Sequence, residues 1–356
     1  VDLEDEVETY GWQGTLPLEF GSNYVEITGG YAHDQKVREF TLFPYGLGAP
    51  GTTTAQRELP LDQVFSDEII SNPTSNAEIS RQDARDSYVA ATMTDSVFGQ
   101  VDWTLNDTLR FAVGARWEDY RQAAVAWDPF AFSGTNPQVD LVDSDGRRPG
   151  DDDFNEREFA FSEDEIYPSI GITYIGDLWA ETFQVRLGYS ETNVRPDLRE
   201  ITASSYNDPL TNYLTRGNPG VIPADVENLD LRFEWFFGNG DNFTVTAFHK
   251  DITDPIAFFY VPASDTTIAR SIENAVSAEV TGIEIEGLKE LGFLGGWGDL
   301  FFLQGNITVQ DSEIVPGDPA TGAGSINVSC LQTEGDRITS NKCKLPGASD
   351  YVLNFM

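Results

Sequence analysis

Residues 109–118 read LRFAVGARWE, and their polarity alternates without a break. The odd positions Leu109, Phe111, Val113, Ala115 and Trp117 are apolar, while the even positions Arg110, Ala112, Gly114, Arg116 and Glu118 are charged or small. Side chains of a β-strand point to opposite faces in turn, so this segment is a strand with one greasy and one charged face. The same reading holds for Phe183, Val185, Leu187 and Tyr189 against Gln184, Arg186, Gly188 and Ser190. It returns in Leu229, Leu231, Phe233 and Trp235 against Asp230, Arg232 and Glu234, and in 301–310, where Phe301, Leu303, Ile307 and Val309 face away from Gln304, Asn306, Thr308 and Gln310. Any half-buried sheet contains such strands, so their number and their connections decide the architecture.

Eleven strands are expected, near 7–18, 24–39, 90–104, 109–122, 166–175, 183–191, 229–237, 242–251, 279–288, 301–310 and 351–356. Short links rich in turn residues join them in pairs: Phe20–Asn23, Asn106–Thr108, Gly176–Asp177 and Gly238–Asp241, with the glycine-rich 289–300 between the ninth and tenth. Long segments, about 40–89, 123–165, 192–228, 252–278 and 311–350, separate the pairs. Regular alternation of tight turns with long loops is the layout of outer-membrane barrels, short on the periplasmic side and long outside, and soluble sandwiches have no reason to keep it. Long loops repeated on one side of successive hairpins point to a functional surface. Tyr10 and Trp12, Tyr174 and Trp179, Trp235 to Phe237, and Trp297 with Phe301 and Phe302 fall near strand ends, where a bilayer interface would hold aromatic rings.

Composition agrees with this reading. The 59 acidic residues against 22 basic ones leave a formal charge of -37, which repels nucleic acid phosphates and argues against DNA or RNA as a partner. No apolar run of about 18 residues is present, so no transmembrane helix is expected, a criterion to which barrel strands are invisible. The chain opens on Val1-Asp2-Leu3-Glu4 rather than on an initiator Met, as expected after removal of an export signal or of a preceding segment.

Catalytic chemistry finds no foothold. There is no Ser/His/Asp set, no G-x-S-x-G, no phosphate-binding loop and no His/Cys metal spacing, so the chain does not read as an enzyme. Its two histidines, His33 and His249, argue against heme capture through paired imidazoles. Cys330 and Cys343 sit in a Gly/Ser/Asn-rich stretch and are expected to pair as a disulfide closing a surface loop; two unrelated thiols are the other reading. Segment 121–165 carries twelve Asp or Glu against four Arg, and Asp143, Asp145, Asp151, Asp152 and Asp153 offer oxygen ligands for calcium in an external loop. Their spacing is not that of a calcium-binding loop, and a merely solvated acidic loop explains them as well.

Two segments add specificity. Gly188-Tyr189-Ser190-Glu191-Thr192 followed by Arg195-Pro196-Asp197-Leu198 resembles the strand-to-loop signature of the TonB-dependent receptors. Gly217-Asn218-Pro219, leading through Pro223 to Glu227-Asn228-Leu229, is similar to the same family's G-N-P-x-L-x-P-E element, with Val221, Ile222 and Ala224 as departures, and Gly282 to Gly287 after Asn274-Ala275 resembles one of its later strands. The resemblance implies an all-β transmembrane antiparallel up-and-down barrel of 22 strands, of which residues 1–356 would be a portion of about eleven. It also implies an N-terminal plug and a TonB box, neither expected within this chain. The implied function is energised import of a scarce bulky solute, siderophore-iron or oligosaccharide, across the bacterial outer membrane, with a TonB-type protein and membrane lipids as partners. Trp127, Phe130, Tyr206, Tyr213, Phe258 and Tyr260 in the long loops are the candidate ligand-binding residues, since rings stack on sugars and on catechols alike. A passive porin-like channel and a secreted soluble all-β adhesin are the alternatives.

Overall fold

The structure, a computed structural model, describes the chain except for residues 49–50, 75–77, 82–85, 134–135, 140, 142–146, 154, 157–158, 208–212, 263–267, 319–322, 325–331, 335–336 and 341–342. Eleven strands follow one another in a single antiparallel path, each hydrogen-bonded to its predecessor and successor. They are β1 (Asp2–Phe20), β2 (Asn23–Thr41), β3 (Tyr88–Leu105), β4 (Leu109–Ser133), β5 (Ala160–Gly176), β6 (Thr182–Val194), β7 (Ala224–Phe236), β8 (Asn242–Thr253), β9 (Ser277–Glu290), β10 (Phe302–Val315) and β11 (Tyr351–Phe355). A short strand at Asn136–Val139 attaches to the end of β4. No described helix is long and apolar enough to cross a membrane, a statement that leaves spanning strands untouched.

Every expected strand is present, and most run further than expected at the ends next to the long connections. β4 continues to Ser133 beyond the expected 122, and β5 starts at Ala160 ahead of the expected 166. Their pairing continues through Arg121↔Ser162 and Ala123↔Ala160. Outside the apolar belt both faces of a strand are polar, so the period-two signal fades while the backbone ladder goes on. The opposite ends close tightly. Asn106 and Asp107 take left-handed φ of 50° and 57° in the three-residue connection between β3 and β4, the backbone of the primed turns whose twist matches that of paired strands.

The two faces are reversed relative to a water-soluble sheet. Val113 is 52% exposed, and Ile170, Leu187, Leu229, Ile283 and Val309 share its face, whereas Glu118 is 9% exposed and Ser96, Asp102, Gln122, Glu234 and Thr246 are buried with it. Leaving one large apolar side chain in water forgoes about 1.5–3 kcal/mol, so a whole face of them belongs in an apolar solvent. Several charges on the inner face are paired. Arg110 Nε donates to both carboxylate oxygens of Asp102 at 2.8 and 2.9 Å, and Glu234 lies between Arg186 at 2.9 Å and Arg232 at 3.1 Å. At the tight-turn end of the outer face, Phe183, Trp235 and Phe243 form a row across β6, β7 and β8, with centroids 5.1 and 5.7 Å apart. That is the amphipathic ring layer expected at a bilayer interface.

Conventional apolar cores are confined to where the long connections fold onto the strand ends. One joins Leu198 and Ile201 to Tyr88, Ala90 and Ala124; the other joins Phe259 to Ala275, Ala278 and Ile314. The long connections also carry structure of their own. Short helices occupy Thr54–Arg57, Leu61–Val64 and Asp67–Ile70, and a four-stranded sheet runs in the order Ser205–Asn207, Leu214–Arg216, Ile268–Asn274, Ile256–Pro262.

Candidate functional site

The residues of the two family-like segments build a clamp that fastens the β6–β7 connection to the inner wall. Arg195, leaving β6, pairs with Glu118 of β4, donates to Thr94 Oγ1 of β3 at 2.7 Å, and lies with its guanidinium 4.4 Å from the Tyr120 ring centre. Pro196 is buried next to it and directs the chain inward. Asp197 accepts from Arg38 of β2 at 3.2 Å and from the backbone N–H of Arg199 at 3.1 Å. Glu200 accepts the N–H of Asp197 at 2.8 Å, and burial raises its carboxyl pKa.

Gly217 explains why its position requires glycine. A Cβ there would stand 2.4 Å from Thr202 O and 2.5 Å from Arg199 O, inside any permitted contact. Asn218 donates its N–H to Glu200 O at 2.7 Å and accepts the N–H of Gly220 on Oδ1 at 2.9 Å. Gln122 of β4 donates to Val221 O at 2.7 Å. Pro219 is half-buried and Pro223 buried in the same turn. Asn274 then ties the β6–β7 connection to the next one, accepting from Ile222 N at 2.9 Å and donating to Ile222 O at 2.9 Å and Asp254 O at 2.7 Å. Burial raises the Asp254 carboxyl pKa as well. Glu227 takes no part: it is exposed and pairs in register with Glu191 and Asp251.

The aromatic candidates fall into two clusters. Phe130 packs edge-on against Phe43 and Tyr45, each 5.7 Å away, under Arg81 at 5.0 Å. Trp127 is partly buried, with an indole N–H enclosed and without a partner among the described residues. The second cluster is assembled by the loop sheet. Tyr206 pairs in register with Thr215, Thr215 in parallel with Arg270, and Arg270 with Tyr260, placing four residues of two separate connections in one row. The Arg199 guanidinium stacks 3.3 Å from the Tyr206 ring centre, and that of Arg270 lies 5.0 Å from both Tyr213 and Phe258. The arginines escaped the sequence reading, although loop cations in so acidic a chain are a signal in themselves.

Of the remaining candidates, Cys343 is disulfide-bonded and Cys330 lies outside the described residues. Asp143 and Asp145 also lie outside them. Asp151 accepts from the backbone N–H of Arg148 at 2.8 Å, Asp152 and Asp153 are exposed, and no three described His, Cys, Asp or Glu side chains converge as metal ligands would. The two histidines lie on separate strands of the outer face, His33 beside Asp95 at 2.9 Å and stacked on Tyr10, and His249 beside Thr281 at 2.7 Å.

Comparison with known proteins agrees with this geometry. A ferric-catecholate import receptor from E. coli, Fiu, aligns over 91% of this chain and 40% of its own, at 15% identity and a TM-score of 0.50. The siderophore receptor PiuA from Acinetobacter baumannii aligns over 99% of this chain and 44% of its own, at 13% identity and a TM-score of 0.53. At such identities the likeness concerns the fold, and the chain spans less than half the length of either receptor. No curated protein matches by sequence. The family described as "TonB dependent receptor-like, beta-barrel" matches residues 3–354. With an apolar face turned outward, a polar face inward and the Arg195 and Gly217 segments clamped over the wall, the chain belongs to the β-barrel family of the TonB-dependent receptors, proteins of the bacterial outer membrane.

Proposed function

We propose that this barrel takes part in energised import of a scarce bulky solute, siderophore-bound iron or an oligosaccharide, captured at the extracellular mouth and released inward past a plug moved by a TonB-type protein. The supporting observation is the loop sheet, in which Arg270 lies between Tyr213 and Phe258 while Arg199 covers Tyr206. Planar rings suit catechols and sugar faces equally, but guanidinium groups set among them favour an anionic chelate over a neutral sugar. Ferric siderophores are therefore the first ligands to assay.

The test is calorimetric titration of the complete detergent-solubilised receptor with ferric catecholates and, separately, with oligosaccharides. Arg270→Ala is expected to weaken catecholate binding about tenfold, equivalent to roughly 1.4 kcal/mol for a desolvated cation–ring contact. Oligosaccharide binding that ignores Arg270 would move the solute to the carbohydrate class, and binding of neither class would remove the loop sheet as the capture site.

A further inference from the structure

One tight-turn end of the sheet is not a tight turn. Between β9 and β10 the chain forms two 3₁₀ turns, Gly292–Leu294 and Gly296–Leu300, of sequence GFLGGWGDL, extending well past the last strand residue Glu290. Gly295 and Gly296 make the bend with φ of 67° and 61°. Its apolar side chains are uncovered: Phe293 is 70% exposed, Trp297 69% and Leu300 81%, with Leu294 exposed beside them. Asp299 is the sole charge in 292–300. So much unpaired apolar surface on a connection is out of place in water.

Its position says what covers it. Lys289, on the outward parity of β9 with Ile283 and Ile285, sends its ammonium to 5.6 Å from the Phe293 ring centre. Phe301, on the outward parity of β10 with Ile307 and Val309, meets Trp297 edge-on at 5.6 Å. The exposed rings of the turn thus continue the lipid-facing belt downward on the same side. Just above them the facing glycines Gly287 and Gly305 leave a groove of about 630 Å³ bordered by Phe243, Leu303 and Phe355. Lys289, ion-paired with Asp241 at the end of that groove, stands at head-group level, where a cation on an apolar stem is well placed.

We propose that the Gly292–Leu300 turn is a membrane foot, inserting Phe293, Leu294, Trp297 and Leu300 among the phospholipids of the periplasmic leaflet beside the barrel. It rests on the outer-membrane placement of the family and not on the solute, so it stands whichever solute is carried. A ring-rich, nearly uncharged turn lying flat in the interface holds the barrel at a fixed depth and tilt near β9 and β10.

The test is an environment-sensitive fluorophore on Leu300→Cys in the complete protein, reconstituted in phosphatidylglycerol-containing vesicles, with Thr108→Cys in the short polar β3–β4 turn as reference. Both sites are exposed, so neither label disturbs packing, and the difference in gel migration between heated and unheated samples of each labelled protein verifies that its barrel is folded. Lipids carrying a nitroxide just below the head group should quench the label at 300 about threefold more than that at 108, and aqueous iodide should do the reverse. Equal quenching of both labels by iodide, with no response to the nitroxide lipid, would falsify insertion and leave the foot a periplasmic surface for a protein partner.

Discussion

At the scale of single residues, the motif positions act within the chain by fit and charge pairing. Gly217→Ala would drive a methyl group against the carbonyls of Thr202 and Arg199, an overpacking that costs about 1–3 kcal/mol. The expected result is protease cleavage in 199–223 of folded, membrane-inserted protein, while the barrel keeps its electrophoretic resistance to denaturation. Glu118→Gln removes the anionic partner of both Arg116 and Arg195, at a cost of about 2 kcal/mol for charge-assisted bonds on a part-buried network. Thermal unfolding of that variant should begin at lower temperature, with Arg195→Ala adding little further loss because both changes break one unit. The identities of Arg195, Pro196 and Gly217 were legible in the sequence through their resemblance to the family. Their mechanical reason was not, because it lies in carbonyls and carboxylates that are distant along the chain.

At the scale of the strand, parity governs everything. Ile283 of β9 faces outward beside Val309, whereas Thr308 of β10 faces inward beside Glu284. Arginine at 283 is expected to destabilise the barrel by about 2–4 kcal/mol if it reaches the bilayer midplane, and arginine at 308, next to Glu284, by less than about 1 kcal/mol. Urea unfolding in lipid vesicles distinguishes the two, and equal losses would show that the assignment of faces is wrong. This parity could be read from residues 109–118 alone, since alternation is a property of successive side chains and requires no knowledge of neighbours. The true ends of the strands could not, because beyond the apolar belt nothing in the pattern marks where pairing stops. Likewise the β9–β10 connection reads as a glycine-rich turn with Trp297 near a strand end, and only its folded shape adds Phe293, Leu294 and Leu300 to the exposed apolar surface.

At the scale of the whole molecule, the extracellular mouth is held by contacts between connections that the chain keeps far apart. Two carboxyl groups in that clamp, Glu200 and Asp254, have pKa values raised by burial. A raised acid favours the folded clamp in its protonated form, so this contribution is full below the ordinary carboxylate pKa and is lost as pH climbs through the raised values. Protease cleavage of the external loops should therefore accelerate from about pH 4 to pH 7, with a flatter profile in the Glu200→Gln, Asp254→Asn variant. Hydrogen bonds from Asn274 to Ile222 and Asp254, and the parallel pairing of Leu214–Arg216 with Ile268–Asn274, bring the arginine and ring cluster together. The sequence by itself determined the all-β class, the order and number of the main strands, which side of each meets lipid, and which connections are long, because all of these follow from local periodicity and turn chemistry. Only the tertiary structure decided which loop residues become neighbours, separating Phe130 from Tyr206, Tyr213 and Phe258 and adding Arg81, Arg199 and Arg270 to them. Contacts between distant connections depend on closing long stretches of chain against each other, and no short-range pattern encodes that choice.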